Sequence, residues 1–299
     1  MYHRFGPDEG GRKTSVATLR RNIEVLREWC ELVTFAELIE RKGCVSSKPL
    51  AAITVDDGYR DFHTYALPIL KELGVPATIF VAAGFVRDRI WLWPDAVRYL
   101  IFHPAARPGS ITIGGAVFDV VLDSQASREH SWDRISTAVL YDNVARAAAI
   151  ADLQKVLGVD LPASPLAEFE PMSEQDLREV AEAGIEIGGH TWSHSFLPQL
   201  SPSQLHRELV EARDYLEQVT GRKVRTFAYP NGQPPDFPDA LVADVQRAGY
   251  LGAAVGIPPV DTALDPFRVG RWCIGDDLVQ VGNVLSGALV LRNAIGAAS

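Results

Sequence analysis

Cysteine is scarce in this chain. Three occur in 299 residues, Cys30, Cys44 and Cys273, and no two of them share CxxC spacing. That excludes a disulfide-stapled scaffold and a thiolate zinc ribbon, and it points to thiols kept in a reducing compartment. Basic charge is short as well: 29 Lys+Arg against 38 Asp+Glu leave a net charge of −9, the wrong sign for a nucleic-acid partner. Long apolar runs are missing too. The chain opens Met1-Tyr2-His3-Arg4-Phe5 with no signal-peptide core. The most apolar late stretch, 279–298, is interrupted by Asn283, Arg292 and Asn293, which predicts a terminal amphipathic helix packed on the domain, not a membrane span. Internal repeats and low-complexity segments are absent. These absences leave a cytoplasmic globular protein as the expectation, and a composition of 47% apolar and 22% charged residues is enough to bury a large core.

Strand and helix patterns alternate along most of the length. Residues 14–29 carry apolar side chains at helical spacing, and Thr34 with Glu37 three positions on forms a capping box before a short helix. An apolar run at 51–55 reads as a buried strand, 59–73 as a helix closed by Gly74, and 76–81 as a second strand, so the pair is parallel with a right-handed crossover. A helix at 91–102 follows. The rhythm then changes: 110–120 is two alternating runs joined by Gly114-Gly115, a hairpin signal. Helical stretches at 127–139 and 141–157 and a Pro-rich segment at 161–171 come next. The alternation resumes with helices at 173–183, 201–220 and 238–248 and strands at 185–189, 224–229, 251–255 and 267–272. This predicts one α/β domain over 1–299, a barrel or doubly wound sheet, with an insertion at about 105–170. The opening strand near Phe5 is either unusually short or begins upstream.

Two motifs sit where such folds place their sites, at the carboxyl ends of strands. Asp56-Asp57-Gly58 ends the first strand. Adjacent carboxylates repel unless a cation or a proton offsets them, although a DDG triplet is also compatible with a plain turn and a helix cap. His190-Thr191-Trp192-Ser193-His194 follows the strand closed by Gly188-Gly189. Histidines at i and i+4 share one face if the segment is helical, close enough to grip one metal ion; surface or capping roles are the alternative. Two imidazoles and one carboxylate, Asp57, make an open three-ligand site of the kind that holds catalytic zinc with water in the fourth position. Asp56, beside the metal but not on it, is then placed to take the water's proton, which specifies hydrolysis of a carbonyl compound.

These residues resemble the polysaccharide deacetylase family, carbohydrate esterase family 4, with its nodulation-deacetylase-like fold. Thr54-Val55-Asp56-Asp57-Gly58 matches its TFDDG-type first motif and His190 to His194 its H-[ST]-x-x-H second motif. Phe227-Ala228-Tyr229-Pro230-Asn231-Gly232 is similar to the third motif of divergent branches. The resemblance runs from Met1 to about Trp272. It implies a distorted (β/α) barrel, one divalent metal ion (commonly zinc) and removal of an N-acetyl group from an amino sugar or glycan. Asp56 is then the base, Asp57, His190 and His194 the ligands, and the Asn231 backbone N–H an oxyanion donor. Trp192 is expected to stack on a sugar face, with Tyr229 and Pro230 as further substrate contacts.

Three departures accompany the likeness. The arginine that opens the usual third motif is replaced by Ala228, with Arg271 as the candidate substitute. The late Leu-x-His that supplies the acid is absent, since His206 is the last histidine; His3 is the candidate there. The insertion would reshape the substrate groove. Three readings therefore stay open: an amino-sugar deacetylase, the same fold acting on a cyclic amide or a nucleotide- or lipid-linked sugar, and a catalytically weakened glycan-binding protein. His63 is expected to be structural, Trp91 and Trp93 core, His103, His130 and His206 solvated, and Glu208, Glu211 and Asp214 an exposed helix face.

Overall fold

Short parallel strands carry the molecule. The structure is a computed structural model that describes residues 1–7, 12–44, 46–258, 265–274 and 281–282. Strands β1 (Phe5–Gly6) and β2 (Thr14–Ser15) pair in parallel, as do β3 (Glu31–Val33) and β4 (Leu50–Ala52). The central sheet uses β5 (Thr54–Val55) and β6 (Thr78–Val81). After the antiparallel hairpin of β7 (Gly109–Ile113) and β8 (Ala116–Val120), it continues with β9 (Glu186–Gly189), β10 (Thr226–Ala228) and β11 (Gly252–Ala254). Its order is β11-β10-β9-β6-β5, parallel throughout.

The sheet is curled, and its edges approach one another. Tyr2 makes a parallel bridge to Val55 beyond β5, and Val269 a parallel bridge to Ala254 beyond β11. Met1 N then donates to Trp272 O at 2.7 Å, joining the two edges. This distorted barrel is the expected fold, and the closure sets His3 and Arg271 on either side of the β5 tip.

Local chemistry explains the elements. Thr34 and Glu37 form both bonds of the expected capping box. Gly74, Gly158 and Gly221 end their helices in the left-handed conformation that a Cβ disfavours. Gly114 and Gly115, φ 57° and 84°, make the two-residue turn of β7–β8.

Some expectations shift. The run at 51–55 is divided, because β4 pairs with β3 while β5 belongs to the central sheet. The strand expected at 267–272 is reduced to the single bridge at Val269; Pro266 before it has no N–H to extend a ladder. The helices at 59–73 and 201–220 contain π-helical turns, Phe62–Ala66 and Arg207–Glu211. The terminal helix expected at 279–298 lies outside the described residues apart from 281 and 282.

Apolar packing falls into more than one cluster. The largest lies around the sheet and its helices, with Phe62, Ile79, Ile187 and Phe227 among its buried members. A second joins helix Trp93–Phe102 to the hairpin and to helices Gln125–Ala138 and Asn143–Leu157, through Leu100, Ile111, Ile135 and Leu153. The inserted segment thus buries its apolar faces largely against itself and one helix of the frame.

Candidate metal centre and active site

Asp57 and Gly58 turn the chain sharply after β5, both with positive φ, 79° and 97°. Aspartate tolerates this region better than bulkier residues. At Gly58 a Cβ would meet Val81 Cγ1 at 3.0 Å, so the turn requires glycine. Asp57 O accepts Ala82 N at 3.1 Å, which ties the turn to the end of β6.

His190 follows β9, and its N–H donates to Val81 O at 3.0 Å. Its Nδ1 lies 2.8 Å from Ala228 O. A carbonyl only accepts, so Nδ1 carries a hydrogen, and in the neutral ring Nε2 presents the lone pair. That lone pair faces Asp57 Oδ1 at 3.4 Å, and His194 Nε2 faces the same oxygen at 3.6 Å. One ligand atom from each of the three residues lies within 4.8 Å of the others, and all three side chains are buried. The separations are long for hydrogen bonds. They match the edge of a tetrahedron built on metal bonds of about 2.0–2.2 Å, roughly 3.3–3.6 Å. Burial, with His190 alongside, lowers His194 to about 4, so its imidazole is neutral, as a ligand must be. Burial alone would raise Asp57, but the two histidines outweigh it and hold the carboxyl well below its usual range. Burial would lower His190, but the Asp57 hydrogen bond and the neighbouring carboxylate charges outweigh it and raise its pKa, so an ion binding here displaces its proton. Donor set and spacing fit a divalent ion of the zinc type.

Asp56 stands beside this cluster with a different partner. Arg271 donates to it through both terminal nitrogens, to Oδ1 at 2.6 Å and Oδ2 at 2.8 Å, and its Nε donates to Val255 O at 3.1 Å. Both side chains are buried. Burial would raise the Asp56 pKa; the guanidinium reverses that and holds it below the ordinary value. His3, nearly half exposed, brings Nε2 to 3.9 Å from Asp56 Oδ2. Asn231, φ 58°, reaches the same region after β10, and its N–H donates to no acceptor among the described residues.

All of these residues line one cavity of about 500 Å³. Its far wall comes from the N-terminal strands and from the 92–169 region, including Arg4, Asp95, Trp132 and Phe169. No motif in the sequence marks Asp95. It is buried and accepts a 2.6 Å hydrogen bond from the Tyr59 hydroxyl, and burial raises it to about 7.

Other expected positions lie elsewhere. Trp192 does not face the cavity: its indole donates to Asp88 at 3.1 Å, packs on Tyr215 and lines a separate groove. The reason is the backbone. The 190–194 segment is not helical, and left-handed residues at Thr191 and His194 turn both histidines one way and the tryptophan the other. Tyr229 is buried between Phe227 and Phe237, and neither it nor buried Pro230 lines the cavity. Glu208 is not on an exposed face; it is 6% exposed. The signal was available in the spacing, since Leu205, Leu209, Ala212 and Leu216 put position 208 on the inward side of its helix. His63 pairs with Glu179 at 2.8 Å, away from the cavity. Cys30 and Cys44 are both free thiols.

A family model described as polysaccharide deacetylase matches residues 44–114 and 118–253. No curated protein matches the chain. Among solved structures, the fold is similar to the Streptococcus pyogenes deacetylase PplD in complex with acetate, at 15% identity over 96% of this chain and 95% of that one, with a TM-score of 0.61. It is also similar to IcaB from Ammonifex degensii, at 17% identity over 96% and 94% with a TM-score of 0.57. A de-N-acetylase from Aggregatibacter actinomycetemcomitans gives 15% identity over 94% and 97%, also with a TM-score of 0.57. His3 and Arg271, the two groups that flank Asp56, fall outside the matched stretches, whereas both carboxylates and both histidines fall inside them. With well over half its length matched and the same curled parallel sheet, the chain belongs to the polysaccharide deacetylase family.

Proposed function

We propose that this protein removes an N-acetyl group from an amino sugar or glycan, using one divalent metal ion, zinc being the best fit to its ligands. The observation that carries the reading is the convergence of Asp57, His190 and His194 beside an arginine-clamped Asp56 in one cavity. Bound there, the ion supplies Lewis acidity, drawing electron density from the acyl carbonyl and making water more acidic. Asp56 is the base. Arg271 keeps it ionised and uses one lone pair of each oxygen, leaving the others to accept the proton of the attacking water. The Asn231 N–H, which has no protein acceptor among the described residues, is available to the oxygen that gains charge as the carbonyl becomes tetrahedral. When the C–N bond breaks, the departing amine needs a proton; His3, at the cavity rim and 3.9 Å from Asp56, is the donor.

Loss of the third-motif arginine does not by itself favour a degenerate binding protein, because Arg271 makes the bidentate contact from the segment that follows the Val269 bridge. The test is acetate release from N-acetylglucosamine oligomers and from nucleotide-linked N-acetyl amino sugars, with zinc-loaded and chelator-treated protein. Asp56→Asn is expected to lower kcat by about 10²–10⁴-fold with metal still bound. Arg271→Ala removes the cation that depresses Asp56, so the acid limb of the kcat/KM profile should move to higher pH. Metal binding without acetate from any substrate would instead support the glycan-binding reading, and full activity in Asp56→Asn would remove the base assignment.

A further inference from the structure

The segment carrying both histidines has an unfavourable backbone. Thr191 and His194 have φ of 67° and 55°, a region that side chains disfavour, β-branched ones most. Such a conformation persists only where the surroundings over-determine it. One bond is internal, from His194 N to Thr191 Oγ1 at 2.9 Å. The rest of the restraint comes from outside. On one side, Ala83 N donates to Thr191 O at 3.0 Å and Gly84 N to Trp192 O at 2.8 Å. Gly84 has no room for a Cβ, which would lie 2.5 Å from the Trp192 indole nitrogen. On the other side stands Glu208. Its Oε2 accepts Trp192 N at 2.8 Å and Ser193 N at 2.9 Å, and its Oε1 accepts the Ser193 hydroxyl at 2.6 Å.

A buried carboxylate is costly unless its charge is met. No Lys, Arg or His forms a salt bridge with Glu208 among the described residues, so two amides and a hydroxyl of the histidine segment satisfy it. The helix also leaves α geometry here: Glu208 lies in the π-helical turn Arg207–Glu211, and single π turns recur at functional sites. We propose that Glu208 is a positioning residue for the metal centre, holding the backbone between His190 and His194 so that both Nε2 atoms converge on Asp57 before an ion binds. The proposal rests on reading Asp57, His190 and His194 as metal ligands.

Cobalt(II) titration of chelator-stripped protein, read by d–d absorption and by competition with a chelator, tests it without reference to turnover. Glu208→Gln keeps the size but loses the charge and one acceptor oxygen. It is expected to bind cobalt about 10–100-fold more weakly than wild type, with an altered band shape. Glu211→Gln, an equal charge change on the exposed side of the same helix, should bind as wild type does. If Glu208→Gln does not fold, Ser193→Ala removes only the hydroxyl bond and should give a smaller loss with the same spectral change. Wild-type affinity and spectrum in a folded Glu208→Gln would overturn the role of Glu208 alone. A wild-type protein that takes up no cobalt would overturn the metal reading and this proposal together.

Discussion

Asp56 and Asp57 are the same residue type, joined by one peptide bond, and their surroundings divide them. Asp57 turns into a left-handed conformation and faces two imidazoles; Asp56 stays aligned with β5 and is gripped by a guanidinium. Asp95 on the opposite wall shows what happens to a carboxyl without such a partner. Burial, and less strongly the charge of Asp57, raise it to about 7, against an unfolded value of about 3.9. Between those values the folded protein binds the proton more tightly than the unfolded chain does. The Asp95 contribution to stability therefore falls as pH climbs from about 4 to 7 and levels off above. Asp95→Asn, whose amide oxygen can still accept from Tyr59, should abolish that loss. In metal-free protein the variant is expected to gain about 2–4 kcal/mol at pH 8 and almost nothing at pH 4. Urea unfolding at the two pH values measures this, and an equal effect at both would contradict it.

At the scale of elements, β9 begins at a carboxylate, Glu186, and leads at its other end into the proposed ligand His190. Glu186 accepts from Ala36 N at 3.0 Å, Thr78 Oγ1 at 2.7 Å and Thr226 Oγ1 at 2.7 Å, tying a helix start and two neighbouring strands to the amino end of the sheet. His190 lies about 13 Å away at the carboxyl end, by the rise of a strand. The division of labour in parallel sheets, stability at one end and chemistry at the other, predicts separable effects. Glu186→Ala should cost about 2 kcal/mol, because three donors lose their acceptor, and should leave metal affinity within about twofold. A cobalt affinity that drops along with stability would show that the two ends are coupled. The same element view explains Trp192: two positions after His190 even a helix would have pointed it off the histidine face, and this loop likewise sends its indole to the far side.

For the whole molecule, the decisive feature is closure. The edges of the sheet meet through Tyr2, Val269 and the Met1–Trp272 contact, which brings Arg271 to Asp56 across 215 residues of chain. The proposed ligand set, Asp57, His190 and His194, is likewise assembled from distant segments, so an ion bound there would favour the folded state by mass action, by about 2.7 kcal/mol at 100 times its Kd. Zinc should therefore raise Tm by a few degrees and excess chelator should reverse it, with no such shift in His194→Ala. A Tm indifferent to zinc in the wild type would count against the centre.

Short-range order along the chain was legible from residue type alone: the capping box at Thr34, the Gly114-Gly115 turn, strands ending in Asp56-Asp57-Gly58 and Gly188-Gly189-His190, and donors of the right chemistry for a metal. Each depends on backbone preference or on side-chain type within a few residues. Which of those groups meet is settled by folding. The bidentate contact of Arg271 with Asp56, the choice of the histidine loop as the partner of inward-facing Glu208, the outward turn of Trp192 and the Asp95 carboxyl in the same cavity all depend on sheet register and barrel closure. Those are set by burial summed over the whole chain, and no local pattern of residues carries that sum.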